Sequence, residues 1–196
     1  MEIAPGIQHN EWLRLNLNDL SSPDWNRAIE ILNMRIENRY FEPVDLLIEK
    51  EKNKLSKEKK YGFTILSIDC LLIETLQSFI EGWKTTKNKS EKAFKKFLTT
   101  SPSFKKYFSQ DMAMRFYKNY RCGILHQAEI QSDSLVCSIG PLVQNINNKM
   151  VINRTEFHKK LKDDFYHYLE QLKDERNTNL RDNFQKKMNH ICRKRD

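Results

Sequence analysis

Residues 61–83 place Ile65, Ile68, Leu72, Leu76, Phe79 and Trp83 at three- and four-residue spacing, with Leu66 and Ile73 widening the stripe. That period is helical, and a stripe so wide leaves little of the helix fit for water. A chain built on such a helix has to surround it with other elements. Asp69 and Glu74 interrupt the apolar run, and residues 64–80 read as too short to span a bilayer. No membrane partner is therefore expected.

Little else in the composition competes with helix. Five glycines and five prolines among 196 residues leave scant material for turns, so the expected class is mainly α. The length suits one domain over residues 1–196. A formal net charge of +8 favours a polyanionic partner. Cys70, Cys122, Cys137 and Cys192 are widely spaced and read as reduced thiols, not as a disulfide or zinc framework. Residues 1–6 lack the basic and apolar stretches of a secretory leader, so a cytoplasmic location is expected.

The pattern as a whole predicts an up-and-down helical bundle with a small β-hairpin before the last long helix. Residues 1–21 read as an N-terminal arm, extended where Trp12, Leu13, Arg14, Leu15, Asn16 and Leu17 alternate. Ser22 and Pro23 start a helix that ends near Tyr40, and Pro43 opens a shorter one. Residues 49–60 form a charged run, read as a solvated helix end and loop. Residues 90–99 make a short amphipathic helix on Phe94, Phe97 and Leu98. Ser103 is expected to cap a long helix over residues 104–128, with Phe104, Phe108, Met112, Phe116 and Tyr120 along one side. Two strands at residues 134–153 make the hairpin, and Thr155 caps a last helix over residues 155–193.

The segment Arg121-Cys122-Gly123-Ile124-Leu125-His126 carries the clearest chemistry. A guanidinium holds phosphate, and an imidazole moves protons near neutral pH. On an ideal helix, residues five apart lie about 140° from each other, so the two side chains do not stack. They converge if the helix distorts at Gly123 or if two copies meet across a symmetric interface. RNA cleavage by its own 2′-hydroxyl needs a base, an acid and a cation at the phosphorus, and a two-fold dimer would supply that set. The plain alternative is a hydrogen-bonded His126 at a helix C-terminus and an ordinary surface Arg121.

Residues 116–129, from Phe116-Tyr117-Lys118-Asn119-Tyr120 through the Arg–His segment to Gln127-Ala128-Glu129, resemble the signature of the HEPN superfamily. That family carries Arg-x(4–6)-His near the end of its third main helix. The phrasing here is similar to a plasmid- and defence-associated bacterial branch, and the order of helices agrees over residues 25–195. The resemblance implies a metal-independent endoribonuclease, a toxin or antiphage effector acting as a homodimer, with no cofactor. Arg121 would stabilise the phosphorane and His126 would transfer protons, leaving 2′,3′-cyclic phosphate and 5′-hydroxyl ends. RNA, with tRNA among the candidates, is the implied substrate. An antitoxin or regulatory protein is a candidate partner. Where paired toxins carry Tyr two residues after the His, this chain has Ala128, so no nucleotidyltransferase antitoxin is inferred.

Supporting roles fall to Cys122, to Tyr117 one turn before Arg121, as a substrate contact or as packing at a dimer interface, and to Glu129 three residues after His126, as an orienter of the imidazole unless it is simply an exposed acid at the helix end. Catalytic members often carry a polar residue at the Cys122 position, which keeps a rival open: a non-catalytic HEPN module for dimerisation or RNA binding. A helical adaptor with a basic face is a third reading. Residues 84–106 hold eight lysines and one acid, Glu91, with Phe94, Phe97, Phe104 and Tyr107 interleaved. Lys95, Lys96, Lys105, Lys106 and, further on, Lys118 are the candidate RNA contacts, unless the aromatics are core and the lysines merely solvated. His158 and His167 share no face, so no metal site is expected. The tail, residues 193–195, reads as a basic end.

Overall fold

The computed structural model describes residues 1–193, and these are mainly α-helical with a small β element. Lys194 and Arg195 of the basic tail lie outside the described residues. The first residues are not a simple extended arm. Strands β1 (Glu2–Ala4) and β2 (Ile7–Gln8) turn at Gly6, which takes φ +72°, and lead into helix α1 (His9–Leu13). The helix buries Trp12, whose indole N–H donates to Asn189 Oδ1 at 2.8 Å. Burial against a distant part of the chain decides the conformation here, and local alternation does not.

Helix α2 (Asp24–Ile36) starts one residue later than the sequence suggests: Pro23 stands at the cap position, and the Ser22 hydroxyl just ahead of it accepts from the Asp24 N–H. It does not end at Tyr40. A π-turn over Glu37–Phe41 carries it directly into α3 (Glu42–Lys50). Pro43 has no N–H, and its ring crowds the carbonyl four residues back, that of Arg39. Widening the turn relieves that clash without breaking the rod.

Helix α4 (Gly62–Ile80) is the central element and packs against α5 (Ser90–Thr100) and two later helices. Ile65, Leu66, Leu72, Ile73, Leu76 and Phe79 are buried along it. Contrary to the sequence reading, it is long and apolar enough to cross a membrane, although 56% of that window is buried inside the domain. Asp69 is fully buried and its Oδ1 lies 2.7 Å from His158 Nδ1. Burial raises the Asp69 carboxyl, and the bond to His158 opposes that rise.

The motif helix starts later than residue 104. Residues 101–108 are turns that bury Phe104 and Phe108, and the Ser103 N–H donates to Asp164 Oδ1. Ser109 is the cap, accepting from the Met112 N–H, for α6 (Gln110–Phe116). A second π-turn over Tyr117–Cys122 continues it into α7 (Gly123–Gln127). Ring contacts of Phe104 with Phe97, Phe108 and Phe157 hold the preceding turns in place of a helix.

The predicted two-stranded hairpin is a three-stranded sheet. Strands β3 (Ser134–Cys137), β4 (Val143–Ile146) and β5 (Lys149–Asn153) lie in the order β3-β5-β4. Asn147 and Asn148, at φ +50° and +63°, turn β4 into β5, while β3 pairs with β5 in parallel. The side chain of Asn153, rather than Thr155, caps α8 (Arg154–Lys173), accepting from the N–H groups of Thr155 and Glu156. The predicted last helix is two, for the chain bends at residues 174–177 before α9 (Thr178–Arg193). Buried Arg181 donates to the Leu172 and Lys173 carbonyls that end α8, fixing the bend.

Candidate functional site

The Tyr-x-x-Tyr-Arg phrase divides between structural and chemical duties. Asn119 Nδ2 donates to Asp133 Oδ1 and Ser134 Oγ, and the Tyr120 hydroxyl reaches the carbonyls of Leu135 and Met150. Arg115 clamps Asp133 and the Asn148 carbonyl. These side chains lash the sheet to the motif helix and leave the opposite side of the helix to Arg121.

Arg121 is half-buried against α4 and α5. Its Nε donates to Glu74 Oε1 at 2.9 Å and its Nη2 to Ser90 Oγ at 3.1 Å. The Ser90 hydroxyl donates in turn to Glu74 Oε2 at 2.5 Å. The Tyr117 ring lies 5.6 Å from the guanidinium and 5.4 Å from Phe94, so it packs and stacks within its own chain. Burial works against the Arg121 charge, but Glu74, Tyr117 and Cys122 outweigh it and hold the group above its ordinary value. Burial also raises the Tyr117 hydroxyl, with the adjacent Cys122 thiol adding to the shift.

Gly123 does not loosen the helix as a flexible residue would. Its φ is −59°, ordinary for a helix. Instead the chain folds back across it, and a Cβ there would lie 2.5 Å from the Glu129 carbonyl oxygen. Ala128 ends α7 in the left-handed region, at φ +53°, where Gly is usual. The main chain is thus drawn tightly over the end of the motif.

His126 sits in the last turn of α7, exposed, with no hydrogen bond or ion pair among the described residues. Glu129 does not orient it, since its Oε1 accepts from the Ile130 N–H. A cleft of about 440 Å³ is lined by Leu71, Glu74, Thr86, Arg121 and Leu125. His126 is not among its lining residues, so this cleft does not bring Arg121 and His126 together. Leu71 and Leu125 are exposed at 45% and 53%. Glu74 and Ser90 escaped the sequence reading. An acid inside an otherwise apolar helix was the one available signal for Glu74.

Lys95, Lys105, Lys106 and Lys118 are exposed, and Lys96 pairs with Glu81. Phe94, Phe97 and Phe104 are fully buried, so only half-buried Tyr107, 4.9 Å beneath Lys106, remains as an interleaved aromatic near the surface. The basic stretch therefore offers lysines without a row of stacking rings. No group of three His, Cys, Asp or Glu suited to a metal occurs among the described residues. All four cysteines are free. Compared with known proteins, the chain matches no family model, no curated protein and no solved structure.

Proposed function

We propose that the chain is a metal-independent endoribonuclease of the toxin or antiphage-defence kind, whose site is completed by two copies. The observation that carries this reading is the setting of Arg121. Among the described residues its hydrogen bonds to Glu74 and Ser90 use Nε and Nη2, which leaves Nη1 to meet a phosphate oxygen at the mouth of the cleft. The exposed Leu71 and Leu125 beside it suit burial by a second copy, which would bring its own His126 toward the phosphate.

In that arrangement one imidazole takes the 2′-hydroxyl proton as the 2′-oxygen attacks phosphorus. The other gives a proton to the departing 5′-oxygen, and the guanidinium balances the charge gathering on the phosphoryl oxygens. The ends are then 2′,3′-cyclic phosphate and 5′-hydroxyl. Glu74 favours a second reading, a non-catalytic module for dimerisation or RNA binding, because it already neutralises Arg121.

Incubating purified protein with RNA in EDTA separates the two. Under the first reading Arg121→Ala and His126→Ala each slow cleavage by about 10²–10⁴-fold. Equal cleavage by all three proteins would refute the assigned residues. Binding without cleavage, in a protein shown to be dimeric, would establish the module instead.

A further inference from the structure

A second cleft, of about 500 Å³, opens at the far end of α4 and shares no lining residue with the one at Arg121. Gly62 lines it, and Glu74 lies twelve residues on, about 18 Å along the helix. The floor is built on Arg154, only 2% exposed, the first residue of α8. Its Nη2 donates to Glu51 Oε2 at 2.6 Å. Its Nη1 is buried and has no hydrogen-bond partner among the described residues.

A buried guanidinium donor left unpaired is costly, so the site favours an added acceptor. The surroundings say which kind. Glu51, completely buried, is already engaged by Arg154 and by the N–H groups of Lys60 and Tyr61. Against its single charge stand Arg154, Lys59 and Lys60, all lining the cleft. The N-terminus of α4 enters at Gly62 and Phe63, with no side-chain cap and no acid in its first turn. Helix ends of this kind attract anions, and phosphate above all. The rest of the lining sets an apolar side of Phe63, Val136 and the 67% exposed Ile139 beside the small Ser56, Cys137 and Ser138.

We propose that this cleft binds a small phosphate ester, its phosphoryl group among Lys59, Lys60 and Arg154 Nη1 and its organic body on Phe63, Val136 and Ile139. The inference is independent of RNA cleavage and holds whether or not Arg121 and His126 catalyse. Arg154 supplies a fixed, planar donor and the lysines supply mobile charge. The apolar wall selects esters over the free ion.

Amide chemical shifts of the full chain, titrated with phenyl phosphate, inorganic phosphate or sodium chloride at matched ionic strength, test it. Phenyl phosphate is expected to move Gly62, Phe63 and Thr64 saturably, and to bind at least about tenfold more tightly than inorganic phosphate. The Lys59→Ala/Lys60→Ala variant, altered only in a half-buried and an exposed lysine, should fold normally and bind about tenfold more weakly. Arg154→Met is the harsher variant, because it strands Glu51. Absence of saturable shifts at residues 62–64, or equal binding by the double variant, overturns the proposal. Equal affinity for phosphate and its phenyl ester would reduce the site to one for the free ion and refute the ester. So would a stronger response at these amides to RNA that lacks a terminal phosphate monoester.

Discussion

The Arg121–Glu74 and Arg154–Glu51 pairs look alike as ion pairs and differ in nearly every physical respect. Arg154 and Glu51 have side chains 3% and 0% exposed, whereas Arg121 and Glu74 are 17% and 15% exposed at the edge of a cleft. Glu51 holds two backbone N–H groups as well as the guanidinium, so it ties the charged loop after α3 to the start of α8. Glu74 holds a guanidinium and one hydroxyl, and no backbone N–H among the described residues. The first pair is a rivet between distant segments. The second positions a side chain and leaves it solvent on one side. Attraction in a sealed site comes with a heavy desolvation cost, so loss of one partner is felt there far more than at a wet edge.

Substituting the acids in turn exposes that contrast most sharply. Glu51→Gln is expected to lose about 3–5 kcal/mol of unfolding free energy, because a buried guanidinium is left without its counter-ion. Glu74→Gln, in wetter surroundings, is expected to lose about 1 kcal/mol or less. Denaturant titration of both variants is the check, and equal losses would erase the distinction. Around Arg121 the main chain bears more of the load than the charge. Gly123→Ala forces a Cβ against the Glu129 carbonyl, with an expected loss of about 1–3 kcal/mol. A thermally unchanged Gly123→Ala protein would show that the closing turn is pliable.

Alkaline pH gives the smallest and most specific contrast. Cys70 lies on α4 within the field of Arg121 and Glu74, and burial pushes its thiol well above the ordinary 9.0. Below that value the thiol is protonated in both folded and unfolded chains, so it has no pH-dependent effect. As pH rises past 9.0 the unfolded chain ionises first, and stability falls by about 1.4 kcal/mol per pH unit from this group until the folded thiol also ionises. Cys70→Ala should flatten that slope in stability measured from pH 8 to 10.5. An unchanged slope would place the alkaline sensitivity elsewhere.

Much of the helical frame is legible in the sequence because its cues are local. The stripe from Ile65 to Phe79 needs only a period of 3.6, and Ser22 needs only the N–H of Asp24. What stays hidden depends on partners far along the chain. Nothing near Ser134 announces a parallel partner in Met150, and nothing near Ser103 says that Phe104 will pack on Phe157. The candidate site divides the same way. Arg121 and His126 stand out by residue type, whereas Glu74 and Ser90 reach Arg121 across 47 and 31 residues. Arg154 Nη1 is harder still, since an unpaired donor is a property of packing alone.

The parallel pairing of β3 with β5 bears on how the domain opens and closes. The β4–β5 ribbon turns through adjacent residues and can form early, because its loop is short. Strand β3 must instead find β5 across the whole ribbon, and the Tyr120 hydroxyl touches the backbone of both. Strand register is thereby read out by a side chain of the motif helix. Those segments are expected to open as one unit, with their amides exchanging together, and release of the sheet edge would loosen the residue next to Arg121 in the same event.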